Sequence, residues 1–213
     1  SFNMDNILIE SIYNYLPTIV KDHLINIIAL RIVSIQQHMS MKLLDFICFL
    51  YDKKMIDIQN LLKEDENGFI NRLKLQKYIF LAQTSLHNNF GYEYDIYRNG
   101  PYSPELANFY YEELDLNRIT LDVNQKKWIN DKIFTERFLT LFRDKEPDWL
   151  EVAATLIDST HYCENEQESL NKVYAIKSKY SREYINGIWN ELKDNSLVHY
   201  KSDLQPKKFL SMF

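Results

Sequence analysis

The sequence predicts a mainly α, α+β protein: a helical domain around one central buried helix, with a small antiparallel β-sheet or hairpin. Three observations carry this expectation. Apolar residues recur along most of the chain at three- and four-residue steps, the repeat of one helix face. One segment, "RLKLQKYIFLAQTSLH" (72–87), is apolar almost all round, as a helix enclosed by its domain is. One stretch, "GYEYDIYR" (91–98), alternates Tyr92, Tyr94 and Ile96 against Glu93 and Asp95, the period-two pattern of a strand.

In order along the chain, 5–37 reads as helix interrupted near Pro17. Ser40 suits an N-cap for "MKLLDFICFLYDKK", and "DENG" at 65–68 reads as a turn. Asn71 is placed as the cap of the central helix, whose main face is Leu75, Tyr78, Ile79, Ala82 and Leu86. A narrow strip with Lys74, Lys77 and Thr84 is left to face water. Gln76 and Gln83, seven apart on one edge of that face, need partners for their amides if buried.

"YRNGPYSPEL" (97–106) holds two of the five prolines and one of the four glycines. Asn99-Gly100-Pro101 is turn chemistry. Ser103 suits an N-cap, Pro104 the first helical position, and Glu105 the positive end of the helix dipole. The decapeptide therefore reads as an elbow that reverses the chain and starts a helix with Leu106, Phe109, Tyr110 and Leu114 inward. "RITLDV" (118–123) reads as a second strand. Amphipathic helices follow in "INDKIFTERFLTLF", after Pro147, around 164–174, and after a Ser181 cap, with "LVHY" as a last short strand.

Bulk properties narrow the function classes. The 213 residues, 46% hydrophobic and 26% charged, fit one large domain or one domain with an appended element. A net charge of −5 argues against a mainly electrostatic hold on nucleic acid, though not against a local basic surface. Two cysteines, Cys48 and Cys163, form no secreted disulfide framework, and no apolar run reaches the ~18–20 residues of a membrane span. With no signal peptide visible, the expectation is a soluble, cytoplasmic protein.

The chemistry-bearing motifs are few. Glycines at 68, 91, 100 and 187 leave no phosphate-cradling loop, and no serine sits in a nucleophile elbow. His161-Tyr162-Cys163-Glu164 has metal-ligating residue types but no second pair at zinc spacing, so it reads as a helix end. The expectation is no catalytic residue, no metal and no cofactor. Arg72, Lys74 and Lys77 form the most basic short window, read as a solvated strip, with a phosphate backbone or an acidic partner as the functional alternative. Tyr97 and Tyr102 flank the turn and rank first among the tyrosines as contact residues. The helix 182–194 sets Arg182 and Lys193 against Glu183, Glu191 and Asp194, a balance that disfavours a DNA-reading winged helix.

"MKLLDFICFLYDKK", "NRLKLQKYIFLAQ" and "YEYDIYRNGPYSPEL" together resemble the Panacea, or SocA-type antitoxin-like, family in order and spacing. The resemblance covers about 41–115, and "WLEVAATLI" with "YSREYINGIWNELK" looks like the downstream part of longer relatives. The matching positions are Lys74, Leu75, Gln76, Lys77, Ala82, Gln83, Gly100, Pro101, Pro104, Glu105 and Leu106; Phe80 stands where many relatives carry Tyr. The resemblance implies a phage-associated or antitoxin-like protein that neutralises a partner by protein contact. It divides the chain into an N-terminal helical extension, 1–39, and a Panacea/SocA-like helical domain, 40–213.

The expected function is a non-enzymatic binding protein, antitoxin-like, acting through protein–protein contact; the alternative is a nucleic-acid-binding transcriptional regulator. The expected partner-binding or motif residues are Lys74, Gln76, Lys77, Gln83, Tyr97, Gly100, Pro101, Tyr102, Ser103, Pro104 and Glu105, most of them positioning the fold. The expected partner is a protein, toxin-like or other, with nucleic acid second and no membrane. The N-terminal helices are a candidate homodimer surface.

Overall fold

Two enclosed helices carry the interior, and the other elements are laid against them. The computed structural model describes residues 43–128 and 131–200. The expectations for 1–39 and for the Ser40 cap lie outside the described residues. From Leu44 onward the described residues belong to one compact unit.

A helix over 43–52 (α1) comes first. Helix α2, Glu66–Thr84, is the first of the two enclosed helices: every residue from Leu75 to Ala82 is buried. Its cap is Asp65, not Asn71; the Asp65 carboxylate accepts from the Gly68 N–H at 2.8 Å. "DENG" is therefore the first turn of the helix rather than a free turn. Gly68 is there for closeness, since a Cβ would stand 1.9 Å from the Lys63 carbonyl oxygen. Asn71 lies inside the helix, where its side chain accepts from the Asp57 N–H.

The second enclosed helix is α6, Pro147–Ser159, in which every residue from Trp149 to Ser159 is buried. It packs on α2 and on the hairpin described next. An aromatic cluster extends this core: Phe46 of α1 stacks on Phe90 at 5.2 Å and meets Phe138 edge-on at 5.0 Å. Phe138 lies on α5, Lys132–Phe142, and also touches Tyr78 of α2 at 5.7 Å.

Between α2 and α6 in sequence lies the elbow. Strand β1, Asp95–Tyr97, pairs antiparallel with β2, Gly100–Tyr102, and Ser103 caps α3, Pro104–Asn108, by accepting from the Leu106 N–H. The expected strand 91–98 is thus confined to 95–97. α3 widens into a π turn over Phe109–Glu113, closed by the Leu114 N–H on the Phe109 carbonyl.

"RITLDV" is not a strand but part of α4, Leu116–Asn124. Asp115 caps it by accepting from the N–H groups of Asn117 and Arg118. Ile119, Leu121 and Val123 alternate as in a strand, but Leu116, Ile119 and Val123 also share a helical face, and the cap decides between them. Helices α7, Glu166–Ile176, and α8, Arg182–Asp194, start on Asn165 and Ser181 caps and pack against α6. "LVHY" forms no strand: Ser196 takes a positive φ of 56°, and the Leu197 N–H returns to the Leu192 carbonyl, closing off α8. Among the described residues no helix is long and apolar enough to cross a membrane.

Gly100 fixes how closely the elbow sits on α6. Its φ is +84°, and a Cβ there would lie 2.8 Å from the Thr155 hydroxyl oxygen and 3.1 Å from the Glu151 carbonyl oxygen. Gly100→Val should cost about 1–2 kcal/mol for the left-handed backbone and a further ~1–3 kcal/mol for overpacking. Urea unfolding of the two proteins checks this, and an unchanged midpoint would refute the close approach.

Candidate functional site

The site begins with a backbone problem. Arg98 and Asn99 form the turn, so Tyr97 faces Gly100 and Ile96 faces Pro101. Antiparallel pairs alternate between bonded and non-bonded. Pro101 has no N–H, so Ile96–Pro101 is the non-bonded pair and the Pro101 carbonyl points away from β1. A buried carbonyl aimed off the sheet needs a donor. Lys77 of α2 supplies it, its ammonium donating to the Pro101 oxygen. Two residues on, Ser103 faces the same way. Its N–H donates to Gln76 Oε1 at 3.0 Å, and its carbonyl accepts from Gln76 Nε2 at 2.9 Å. Two adjacent side chains of α2 thus take the place of a third strand.

Gln83, two helical turns further, repeats the device. Its Nε2 donates to the Tyr92 carbonyl at 2.9 Å, and its Oε1 accepts from the N–H groups of Tyr92 and Phe90 at 3.1 and 3.2 Å. These bonds hold 90–92 against α2 although 91–94 joins no strand.

Lys77 was expected in the water-facing strip; it is buried instead, because the orphan Pro101 carbonyl takes its charge-assisted hydrogen bond. Burial, with Lys177 close by, pulls its pKa down to about 7 against the opposing pull of Glu151 and Asp158. The turn is held from its other side by Lys177, which donates to the Arg98 carbonyl at 2.7 Å and pairs with Glu151 at 2.9 Å. Burial also lowers the Lys177 pKa, opposed by Glu151.

With its wall fixed this way, the elbow encloses a cleft of about 390 Å³ against α2 and the π turn. Phe69, Arg72, Leu73, Gln76 and Lys77 line it from α2; Tyr97 to Gly100 and Tyr102 line it from the hairpin; Tyr110 and Tyr111 line it from the π turn. The π turn brings Tyr110 inward, buried, and leaves Tyr111 outward. Tyr97 and Tyr102 meet edge-on at 5.2 Å. Phe69, Tyr97 and Tyr111 are 47%, 51% and 54% exposed, so the rim is an aromatic surface in water. The Arg72 guanidinium lies 5.8 Å from the centre of the Tyr111 ring, while Nη1 donates to the Leu61 and Lys63 carbonyls. A second cleft of about 560 Å³ lies across the turn and shares Phe69, Arg98 and Asn99.

Of the expected site residues, Gln76, Lys77, Tyr97, Gly100 and Tyr102 come together at the first cleft. Pro101 and Ser103 are buried in its wall, where they accept from Lys77 and Gln76. Pro104 and Glu105 are exposed at the start of α3, outside the lining. Lys74 lies apart, in a depression with Tyr51, Met55 and Asp57, and Gln83 works at Tyr92. Sequence reasoning passed over Phe69, Leu73, Arg98 and Asn99 as lining residues. Phe69 follows a segment read as a turn, so nothing in the local pattern marks it.

Compared with protein-family models, curated proteins and solved structures, the chain matches none.

Gln76→Leu should leave the Ser103 N–H buried without a partner, while its carbonyl keeps the Ala107 N–H; the cost should be ~1–3 kcal/mol, measured by denaturant unfolding. Lys77 makes a pH prediction. Its folded pKa lies below its ordinary 10.5, so between those values the unfolded chain binds the extra proton and stability rises with pH. Wild type should gain stability on Lys77→Met from pH 7 to about 9.5, by at most ~1.4 kcal/mol per pH unit. Parallel stability curves would contradict this.

Proposed function

We propose that the chain is a non-enzymatic binding protein of the antitoxin-like, Panacea/SocA kind, acting in the cytoplasm and gripping a partner protein at the elbow cleft. One observation carries the reading. The motif residues Gln76, Lys77 and Ser103 spend their polar groups inside the protein, while Phe69, Tyr97 and Tyr111 leave large aromatic surfaces exposed around one cleft. Rigid aromatics beside arginine are the side chains that dominate protein interfaces. The fixed wall keeps them in place, so little ordering cost is left for binding. The order of the three sequence motifs supports the same reading.

Arginine beside exposed aromatics also suits single-stranded nucleic acid, which gives the regulator reading its one favourable observation. The net charge of −5 works against it.

The test is capture from the native cell with the tagged chain, followed by mass spectrometry, comparing wild type with Tyr97→Ala/Arg98→Glu. Both residues are exposed, so beyond the loss of the Tyr97–Tyr102 ring contact, about 0.5–1.5 kcal/mol, the variant should stay folded. A specific partner should be retained by wild type and lost by the variant, with about thirtyfold weaker binding if the pair contributes ~2 kcal/mol. Equal retention by a folded variant sinks the cleft as the grip. A wild-type mobility shift on random DNA at about 50 mM salt, steeply salt-dependent, would transfer the reading to nucleic acid.

A further inference from the structure

Resting on the proposed binding role, we infer that the cleft accepts an extended, acidic segment of the partner protein, with an apolar side chain seated among Phe69, Tyr97 and Tyr111 and carboxylates on Arg72 and Arg98. The argument is charge complementarity. The protein as a whole is acidic, at −5, yet the first cleft is lined by Arg72, Lys77 and Arg98 and by no aspartate or glutamate. Lys77 is used up on Pro101. Arg72 donates to main-chain carbonyls, which leave its charge uncancelled. Among the described residues, neither Arg72 nor Arg98 has a carboxylate at ion-pair distance. Two guanidiniums lining one cleft with no internal counter-charge present donors suited to carboxylates.

The shape favours an extended chain. A volume of about 390 Å³ takes a few side chains, not a folded surface. The second cleft continues beyond Arg98, with Phe69, Arg98 and Asn99 common to both. A peptide crossing from one to the other passes over the Arg98 turn and reaches Lys179. That lysine is more than half exposed and is balanced in part by Glu151 and Asp148. A polyphosphate chain is disfavoured, because so few cations are arrayed within an acidic molecule.

The experiment selects phage-displayed random peptides, about 12 residues long, on the folded full chain. Selected peptides and their Asp/Glu-to-Lys counterparts are then titrated by fluorescence anisotropy, beside a labelled oligothymidylate of about 15 nucleotides. The expected result is selection of acidic residues flanking an aromatic or leucine. Charge reversal of the peptide and Arg98→Glu should each weaken binding at least about tenfold. Arg98→Glu should in turn regain affinity for the lysine counterparts, a swap that a merely structural role for Arg98 would not produce.

Selection of neutral or basic peptides, selection of none, or acidic peptides indifferent to Arg98→Glu overturns the inference. Oligothymidylate binding that is lost in Arg98→Glu, without peptide binding, overturns it in favour of nucleic acid. If the native partner is captured through Tyr97 and Arg98 while the library returns non-acidic sequences, only the partner chemistry falls. If capture also ignores those residues, the binding-cleft reading falls with it.

Discussion

The architecture turns on a strand whose second neighbour is a helix. β2 is three residues long and has β1 on one side only. A two-stranded hairpin is marginal by itself, and its unpaired carbonyls are costly once buried. Gln76 and Lys77 resolve both difficulties from adjacent positions on α2: the Gln76 amide both donates and accepts, as a strand residue does, and Lys77 donates to the remaining carbonyl. The hairpin is thereby fixed to the central helix by polar bonds rather than by sheet extension. Gly100 then lets α6 close over it at a distance no side chain permits.

That closure explains why α6 carries buried charge. Glu151 is 2% exposed in a helix that is otherwise chiefly apolar, and it faces Lys177. A buried pair of this kind contributes little net stability, since desolvation offsets most of the attraction. What it supplies is position. Lys177 cannot leave Glu151 without stranding a charge, and while it stays it holds the Arg98 carbonyl. Lys77, from α2, holds the Pro101 carbonyl. The hairpin is held by two lysine side chains, Lys177 on the turn and Lys77 on β2, so Tyr97 and Arg98 project from a braced support.

How much of this the sequence shows depends on how far apart the cause and its effect lie. The enclosed helix is visible in 72–87, because all-round apolarity is local. The elbow is visible in 97–106, because Ser103, Pro104 and Gly100 each do what their residue types do anywhere. Gln76 and Gln83 were recognisable as amides in need of partners, but the partners, Ser103 and Tyr92, lie 27 and 9 residues away. Lys77 is the instructive failure. A lysine on the polar strip of a helix reads as solvent-facing, and only the Pro101 carbonyl, 24 residues on, turns it inward. "DENG" failed for a related reason. Asp65 and Gly68 suit a turn and a helix start equally, and the Asp65 cap bond decides for the helix, while the approach of Lys63 calls for glycine at 68. Arg98 and Phe69 become neighbours only after folding, so no spacing rule finds them.

The same division bears on the family resemblance. Five of the positions on which it rests, Gln76, Lys77, Gln83, Gly100 and Pro101, are ones whose polar groups or backbone geometry build the elbow. Chains that share these residues share a reason to make the same bracket. The exposed side chains at the cleft mouth, Phe69, Arg98 and Tyr111, lie outside those positions, and no internal bond of the bracket depends on their side chains. Substituting them should therefore alter the surface of the cleft without loosening what holds it. The motif residues account for the support, and the exposed mouth is the part left over for the proposed binding role.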